Sequence, residues 1–373
     1  MKKKINESRN SGIEILKVIA IFLIVISHTT QTLYEYNPMF SNEYILELKY
    51  SSKNIQQLIL AWFSTFGAHG NLIFFISSVW FLLDSKRNNY KKILYILLDV
   101  WIISIFFLII FKIINFYPLS LKEIIKSIFP TTFALNWYVT CYLLIYSIHV
   151  YLNKIIYAMT KRELLACVLV MFILYQVINY IHYGHFFTSP LIEFIVIYFE
   201  VAYLKLYFIK NSNNKKINML IFLLSMIAIP ILILLTNFLG IYISFFNGKL
   251  QSYGGNHSPF ILIIAICLFN IFKKLEFYNK TVNFISSMSL LIYIIHENYF
   301  VRKYLRPNIW IYFYKNYGYD NVIGIDLIIS IFIFLVSIVI SMLYKKYFQS
   351  QLHGIIDLLC NFISNKYDKS NVK

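Results

Sequence analysis

The chain has 373 residues, of which 59% are hydrophobic and only 14% are charged, and its mean hydropathy is +0.65. A soluble domain would carry about a quarter charged residues, so this composition excludes an ordinary soluble protein and indicates a polytopic membrane protein. The net charge of +17 does not indicate nucleic-acid binding, because the Lys and Arg residues lie in short clusters between apolar segments.

Ten apolar segments long enough to cross a bilayer follow one another along the chain. They lie near residues 13–33, 58–83, 93–116, 135–153, 163–182, 190–208, 217–239, 258–273, 284–301 and 322–344. The second is expected to begin with a separate short helix before Gly67. We therefore predict an all-α bundle of about ten transmembrane helices with both termini on one side.

The distribution of Lys and Arg predicts which side is cytoplasmic. The segments assigned to the cytoplasm hold 23 of these residues and the external segments hold 10, with Lys17 left inside the first span. Cytoplasmic loops of membrane proteins carry an excess of Lys and Arg. Both termini are therefore predicted to be cytoplasmic, in a bacterial cytoplasmic membrane.

Two regions of unequal length are predicted. Residues 1–346 are expected to form the membrane domain, and residues 347–373 a cytoplasmic amphipathic tail that contacts membrane lipids. Apolar side chains recur at helical spacing in that tail, at Leu352, Ile355, Ile356, Leu359 and Phe362. No His, Cys, Asp or Glu cluster has metal-ligand spacing, so no metal is expected.

The first span carries ionisable residues inside an apolar run. Lys17 and His28 are eleven residues apart, which places them on nearly the same helix face about 16 Å from one another along the axis. An ionisable group in a membrane helix costs at least a few kcal/mol and usually faces a partner or a wet cavity. The alternatives are a structural role for His28, a Lys17 side chain that reaches the interface, and a Glu14–Lys17 pair.

Four short motifs occur in order along the chain. Lys17, ten further residues and His28 form the first, and residues 67–77 form a glycine-bearing segment that ends in Phe-Phe-Ile-Ser. Residues 136–138 carry an aromatic pair at the start of the fourth span, and Ser289–His296 ends in Tyr-Ile-Ile-His. This ordered set, which covers nearly the whole chain, resembles the acyltransferase 3 family of integral membrane acyltransferases. Lys17 stands where arginine is common in that family, and Ser78 replaces a glycine.

The resemblance implies transfer of an acyl group, most often acetyl, from cytoplasmic acyl-coenzyme A to a hydroxyl. The acceptor would be a cell-envelope or capsular polysaccharide or its lipid-linked oligosaccharide precursor. Acetyl-CoA would be the co-substrate, with no metal and no nucleic-acid partner. The oligomeric state stays open, with a homodimer as one option.

Roles for individual residues follow from this reaction. A neutral imidazole suits removal of a hydroxyl proton near neutral pH, so His28 is predicted as the general base, or as a transient acyl carrier. Lys17 is expected to neutralise carboxylate or phosphate charge where the donor enters, with Glu14 beside it.

Two further pairs of residues are candidates. Lys86 and Arg87 are expected to contact phosphate groups of the donor, although both could be ordinary topology charges. His69 and His296 are further catalytic candidates that would orient the acceptor or His28, and each has a structural role as its alternative.

Two other functions are consistent with the composition. A transporter or flippase would use Lys17, His28 and His296 to line a path for protons or an acyl-glycan. The sequence shows no internal repeat and no pair of Gly/Pro-broken spans typical of inverted-repeat carriers. A glycan polymerase would be expected to have a larger external loop than any in this chain.

Overall fold

The computed structural model describes residues 10–33, 54–115, 117–182, 189–208, 215–246 and 254–370. Within these ranges the regular secondary structure is helical, which confirms the predicted all-α class. Parts of the predicted topology lie outside the described residues, namely the basic N-terminus at 1–9, the loops 34–53, 209–214 and 247–253, and residues 371–373.

Sixteen α-helices are found in the described part of the chain. The first eight are α1 (Ser11–Thr32), α2 (Ile55–Ser64), α3 (Phe66–Leu82), α4 (Tyr90–Ile114), α5 (Leu121–Ile128), α6 (Trp137–Ala158), α7 (Lys161–Met171) and α8 (Ile178–Ile181). The others are α9 (Pro190–Tyr203), α10 (Lys215–Tyr242), α11 (Pro259–Lys273), α12 (Lys280–Ser286), α13 (Ser289–His296), α14 (Arg306–Tyr317), α15 (Val322–Tyr344) and α16 (Ser350–Ser370).

Seven helical segments of the described chain are long and apolar enough to cross a membrane. They are Ser11–Thr32, Ile55–Leu82, Tyr90–Ile114, Trp137–Ala158, Lys161–Ile181, Met219–Tyr242 and Tyr319–Phe362. Each overlaps one of the ten predicted spans. The remaining three predictions, at 190–208, 258–273 and 284–301, fall on shorter or interrupted helices, so the total of ten remains a prediction.

Two breaks in the helices have local causes. The expected short helix before Gly67 is confirmed as α2, and it ends where the Ser64 and Thr65 hydroxyls donate to the carbonyl oxygens of Ala61 and Trp62, at 2.6 and 2.7 Å. Hydroxyl side chains compete in this way with the helical backbone ladder. The predicted span at 284–301 is not a single helix, because α12, α13 and the π-helical turn Val301–Leu305 are separate elements.

Helix α1 lies at the centre of the bundle, where it packs against α2, α3, α11, α12, α13 and α15. Leu16, Ile21 and Ile24 on this helix are almost completely buried. Its most extensive contact is with α3, where a Cβ atom on Gly70 would overlap the carbonyl oxygen of Ala20 and the side chain of Ile24. The glycine therefore allows the two backbones to come close together.

The C-terminal tail forms a helix, α16, that follows α15 through the π-helical turn Lys345–Gln349. It packs against α4 through the buried carboxylate of Asp99, which accepts hydrogen bonds from Tyr344, Gln349 and His353 at 2.8, 2.9 and 3.1 Å. The predicted domain boundary at 346/347 thus falls inside one helical run that is tied to the bundle.

Candidate active site

The centre of the candidate site is a contact between two histidines and a carboxylate. The Nδ1 atom of His28 lies 3.1 Å from the Nε2 atom of His296 and 3.0 Å from the Oε1 atom of Glu297. The two imidazole rings are stacked, with their centroids 5.4 Å apart. His28 comes from the last turn and a half of α1, whereas His296 is the last residue of α13.

The partners of these rings assign the proton positions. The Nδ1 atom of His296 lies 2.8 Å from the carbonyl oxygen of Ile292, which can only accept, so neutral His296 presents Nε2 as an acceptor. The ionised carboxylate of Glu297 is also an acceptor. The proton shared in this contact therefore belongs to the Nδ1 atom of His28, and the lone pair of neutral His28 lies on Nε2. The His28 side chain is 16% exposed, so this atom sits at the edge of the buried cluster.

A buried arginine holds the cluster together. Arg306, 1% exposed at the start of α14, donates from Nη1 to the carbonyl oxygen of His28 at 3.1 Å. Its Nη2 atom donates to the carbonyl oxygen of His296 at 2.5 Å and to Oε1 of Glu297 at 2.8 Å. Arg306 thus binds the carbonyl oxygen of His296, the last residue of α13. This contact explains why the predicted ninth span is interrupted after His296.

Sequence reasoning missed the roles of Glu297 and Arg306. Glu297 directly follows the candidate His296, and Arg306 is one of the ten Lys and Arg residues of the predicted external segments. The ion pair between Glu297 and Arg306 depends on the chain turning back between α13 and α14. The spacing of residues in the sequence does not predict such a turn. The one available signal was the acidic residue directly after a candidate histidine.

The carboxylate of Glu123 anchors the residues that directly precede Arg306 in the chain. Glu123, 5% exposed in α5, accepts hydrogen bonds from Tyr304 and from Lys303, the latter at 2.6 Å. Burial alone would raise the pKa of Glu123, but the hydrogen bonds from Lys303, Tyr304 and Ser120 outweigh it and lower the pKa to about 2. The turn Val301–Leu305 is therefore tied to α5 immediately before Arg306.

The His28, His296 and Glu297 side chains also meet the distance requirement for a metal site, with one donor atom each within 4.8 Å of the others. Two ligands of a tetrahedral zinc ion at 2.0–2.1 Å would lie about 3.3 Å apart, whereas Nδ1 of His28 and Oε1 of Glu297 are at 3.0 Å. The Arg306 guanidinium already neutralises that carboxylate. The geometry therefore favours direct hydrogen bonds over a shared ion.

The charged residues near the start of α1 form a second polar group. The Lys17 Nζ atom lies 3.1 Å from Oε1 of Glu14, and Ser286 donates to Oε2 of the same carboxylate. The expected i,i+3 pair is thus present, with Glu14 4% exposed. Glu14 and Lys17 lie about 21 and 16 Å from His28 along α1 by helical rise, so the structure does not bring Glu14 to the imidazole.

A cavity of about 300 Å³ extends from Lys17 toward the histidine pair. One end carries Lys17 and Lys92 together with serines at 286, 287 and 289. The other end is lined by Ile24, Tyr138 and Tyr293, and the Tyr293 ring meets the His296 ring edge-on, with centroids 5.6 Å apart. Ligand pockets in proteins begin at about this volume. The cavity has a basic entrance at one end, and its other end adjoins His296 through Tyr293, although His28, His296 and Glu297 are not among its lining residues.

The other predicted site residues lie apart from this cluster. Lys86 and Arg87 are exposed in the loop between α3 and α4 and are not among the residues that line the cavity. Lys92, at the start of α4, lines it instead. His69 is buried, with Nδ1 donating to the carbonyl oxygen of Thr65 at 3.0 Å, and its ring packs against Phe66.

Comparison with known proteins identifies the chain by family. The model of the acyltransferase 3 family, described as an acyltransferase domain, matches residues 10–345. The match includes α1 to α15 and both ends of the cavity. No curated protein and no solved structure matches the chain.

Proposed function

We propose that this chain, which belongs to the acyltransferase 3 family of membrane acyltransferases, moves an acetyl group from acetyl-CoA to a hydroxyl of a cell-envelope polysaccharide or its lipid-linked precursor. The observation that carries the proposal is the position of His28. Its Nδ1 proton is held by Glu297 and His296, which leaves Nε2 as the base, and the inner end of the cavity adjoins this histidine pair through Tyr293.

The donor would enter at the basic end of the cavity. In the proposed topology, with ten spans in a bacterial cytoplasmic membrane and both termini inside, the start of α1 faces the cytoplasm. Lys17 and Lys92 would then neutralise phosphate charge of acetyl-CoA, and the thioester would extend toward Tyr293. Lys86 and Arg87 would meet more distal phosphate groups at the same surface.

The chemical step uses His28 as a general base. The acceptor oxygen attacks the thioester carbonyl carbon while Nε2 of His28 takes the hydroxyl proton. The C–S bond then breaks, and the coenzyme A thiolate takes a proton from the imidazolium. The Glu297 carboxylate holds the ring orientation and stabilises the imidazolium while it exists, as the carboxylate of a catalytic triad does. His296 contacts the same Nδ1 atom of His28 as Glu297 does, and the buried Arg306 keeps both partners in place.

Complementation of a strain that lacks the gene tests this proposal. Wild-type protein is expected to restore acetyl groups on the envelope polysaccharide, measured by NMR, whereas His28→Ala abolishes them at an unchanged protein level in the membrane. Normal acetyl content with His28→Ala would overturn the assignment. Retention of acetylation by His149→Gln, in a buried histidine of α6 outside the cluster, is the matched control.

A further inference from the structure

A second buried polar group lies outward of the cavity, and its members come from three different elements. Asn71 of α3 donates from Nδ2 to Oδ1 of Asn256, which precedes α11, at 3.5 Å. The Asn256 amide in turn donates to the carboxylate of Glu193 in α9. Asn71, Asn256 and Glu193 are named here the Asn71 relay.

Two oxygen atoms of the relay lack a hydrogen-bond partner within the described residues. They are Oδ1 of Asn71 and Oε1 of Glu193, on side chains that are 7% and 6% exposed. A buried polar atom without a partner costs about 1–3 kcal/mol, so such atoms commonly mark a missing water or ligand. The amide oxygen of Asn71 can only accept, whereas the carboxyl group of Glu193 accepts when it is ionised and can also donate when it is protonated. A ligand that satisfies both must supply a donor to Asn71 and a donor or an acceptor to Glu193, as neighbouring hydroxyl groups do.

The relay continues one wall of the donor cavity. Asn71, Phe74 and Ser78 recur at i, i+3 and i+7 and thus share one face of α3, and Phe74 and Ser78 line the cavity. On the facing helix α6, the Tyr138 hydroxyl donates to the carbonyl oxygen of Asn71 at 3.4 Å, and Tyr138 lines the cavity as well. The relay therefore begins where the cavity ends.

The same end of the cavity adjoins the histidine pair. The Tyr138 ring lies 5.7 Å from that of Tyr293, which in turn lies 5.6 Å from that of His296. From the other side, a Cβ atom on Gly67 would collide with Ser27, the residue before His28, so the turn of α3 that leads to Asn71 touches the end of α1. The cavity, His296 of the histidine pair and the relay thus all adjoin the two tyrosines.

We propose that the Asn71 relay is the acceptor subsite and that it binds two neighbouring hydroxyl groups of a polyhydroxylated, carbohydrate acceptor. Asn71 accepts one hydroxyl hydrogen and the carboxyl group of Glu193 bonds the neighbouring hydroxyl, which orients the sugar so that a further hydroxyl faces Nε2 of His28. The catalytic part of this statement rests on the proposed function, whereas the binding part does not.

Equilibrium binding tests the subsite without any acyl transfer. The probe is the envelope polysaccharide from a strain that lacks the gene, titrated into purified full-length protein in the absence of acetyl-CoA. The variant Glu193→Gln replaces one acceptor oxygen with an amide at nearly constant volume, and Asn71→Ala removes the other. Loss of a hydrogen bond that leaves a buried partner unsatisfied corresponds to about tenfold in Kd, so each variant is expected to weaken binding by about tenfold.

The matched control is Glu200→Gln, since Glu200 is an equally buried carboxylate on the same helix that bonds Gln176 at 3.1 Å instead of the relay. It is expected to bind the polysaccharide as the wild type does. Equal affinity for the wild type and Glu193→Gln would overturn the subsite, as would absent binding by the wild type or equal losses in Glu193→Gln and Glu200→Gln. Binding by the wild type without acetyl transfer would instead overturn the proposed function and leave the subsite intact.

Discussion

The Nδ1 atom of His28 lies 3.1 Å from the Nε2 atom of His296, although 268 residues separate them in the sequence. The contact joins the end of α1 to the end of α13. Because His296 donates from Nδ1 to its own helix, it accepts at Nε2, and this fixes the tautomer of His28. The tautomer of the proposed catalytic base thus depends on a neighbour that need not itself exchange protons.

The first prediction concerns the carboxylate that holds His28. Glu297→Gln preserves the side-chain volume but removes the charge that stabilises an imidazolium, so the acyl-transfer rate is expected to fall about 10²-fold or more. Steady-state transfer from labelled acetyl-CoA measures this change. Glu200→Gln removes a buried carboxylate elsewhere and is expected to keep near-wild-type kcat; a comparable fall in both variants would contradict the role of Glu297.

The second prediction concerns Arg306. Lysine keeps the positive charge but presents a single nitrogen in place of a planar fork, so Arg306→Lys is expected to lose part of the contacts that Nη1 and Nη2 make to the His28 and His296 carbonyls and to Glu297. The transfer rate is expected to fall at least tenfold. The control Arg302→Lys changes an arginine that is 46% exposed and 3.8 Å from Oε2 of Glu297, and its rate should stay within about twofold. Wild-type activity of Arg306→Lys would show that the contacts of the guanidinium with the two carbonyls and Glu297 are not needed for transfer.

The third prediction concerns the pH dependence of stability. The pKa of Glu123 in the folded protein is about 2, below the ordinary value of 4.5. A lowered folded-state pKa contributes stability above the unfolded-state pKa, and this contribution is lost as the pH falls from about 4.5 toward 2. Glu123→Gln should therefore lower the thermal midpoint at pH 7, and the difference from wild type should shrink below pH 4.5. The exposed Glu276→Gln serves as the control; a Glu123→Gln difference that grows on acidification would contradict the account.

The fourth prediction distinguishes hydrogen bonding from metal binding at the histidine cluster. Since Arg306 already neutralises Glu297 at 2.8 Å, dialysis against a chelator is expected to leave acyl transfer unchanged. Metal analysis of the purified protein should show much less than one equivalent of zinc. One bound equivalent that is lost in His296→Ala, together with loss of activity on chelation, would instead assign a metal centre.

The fifth prediction separates the two groups of basic residues. Lys92 lines the cavity, whereas Lys86 is exposed outside it. A lost contact between a lysine and a phosphate in a partly enclosed site costs about 1.5–3 kcal/mol, so Lys92→Gln should raise the KM for acetyl-CoA about tenfold or more. Lys86→Gln should raise the KM for acetyl-CoA less. A larger increase in KM for Lys86→Gln than for Lys92→Gln would place the phosphate groups at the loop between α3 and α4 and not at the cavity.

Much of the fold was predictable from composition and spacing because membrane helices must be long and apolar. The first span, the break before Gly67 and the all-helical class follow directly from this constraint. The breaks within the predicted span at 284–301 could not be predicted, because hydropathy reports whether a segment is apolar but not where its helix ends. Helix α13 ends at His296, whose carbonyl oxygen accepts a hydrogen bond from Arg306.

The site was predictable in residue type but not in pairing. An imidazole and a cation inside an apolar helix are costly enough to point to His28 and Lys17, and the ordered motifs added His296. Whether His28 meets His296 or His69 depends on how the helix ends pack, which one sequence does not report. Arg306 looked like a loop charge because its three acceptors, two of them backbone carbonyls, come from distant elements or from across a turn.

The most direct test of the account is acetyl transfer by purified His28→Gln protein, measured with radiolabelled acetyl-CoA and the polysaccharide of a strain that lacks the gene. His149→Gln, made and purified in parallel, controls for loss of a buried histidine. The account predicts that His28→Gln binds acetyl-CoA with wild-type affinity but transfers acetyl groups at least about 10²-fold more slowly, whereas His149→Gln keeps its rate. Transfer by His28→Gln at the wild-type rate would contradict the assignment of His28 as the base.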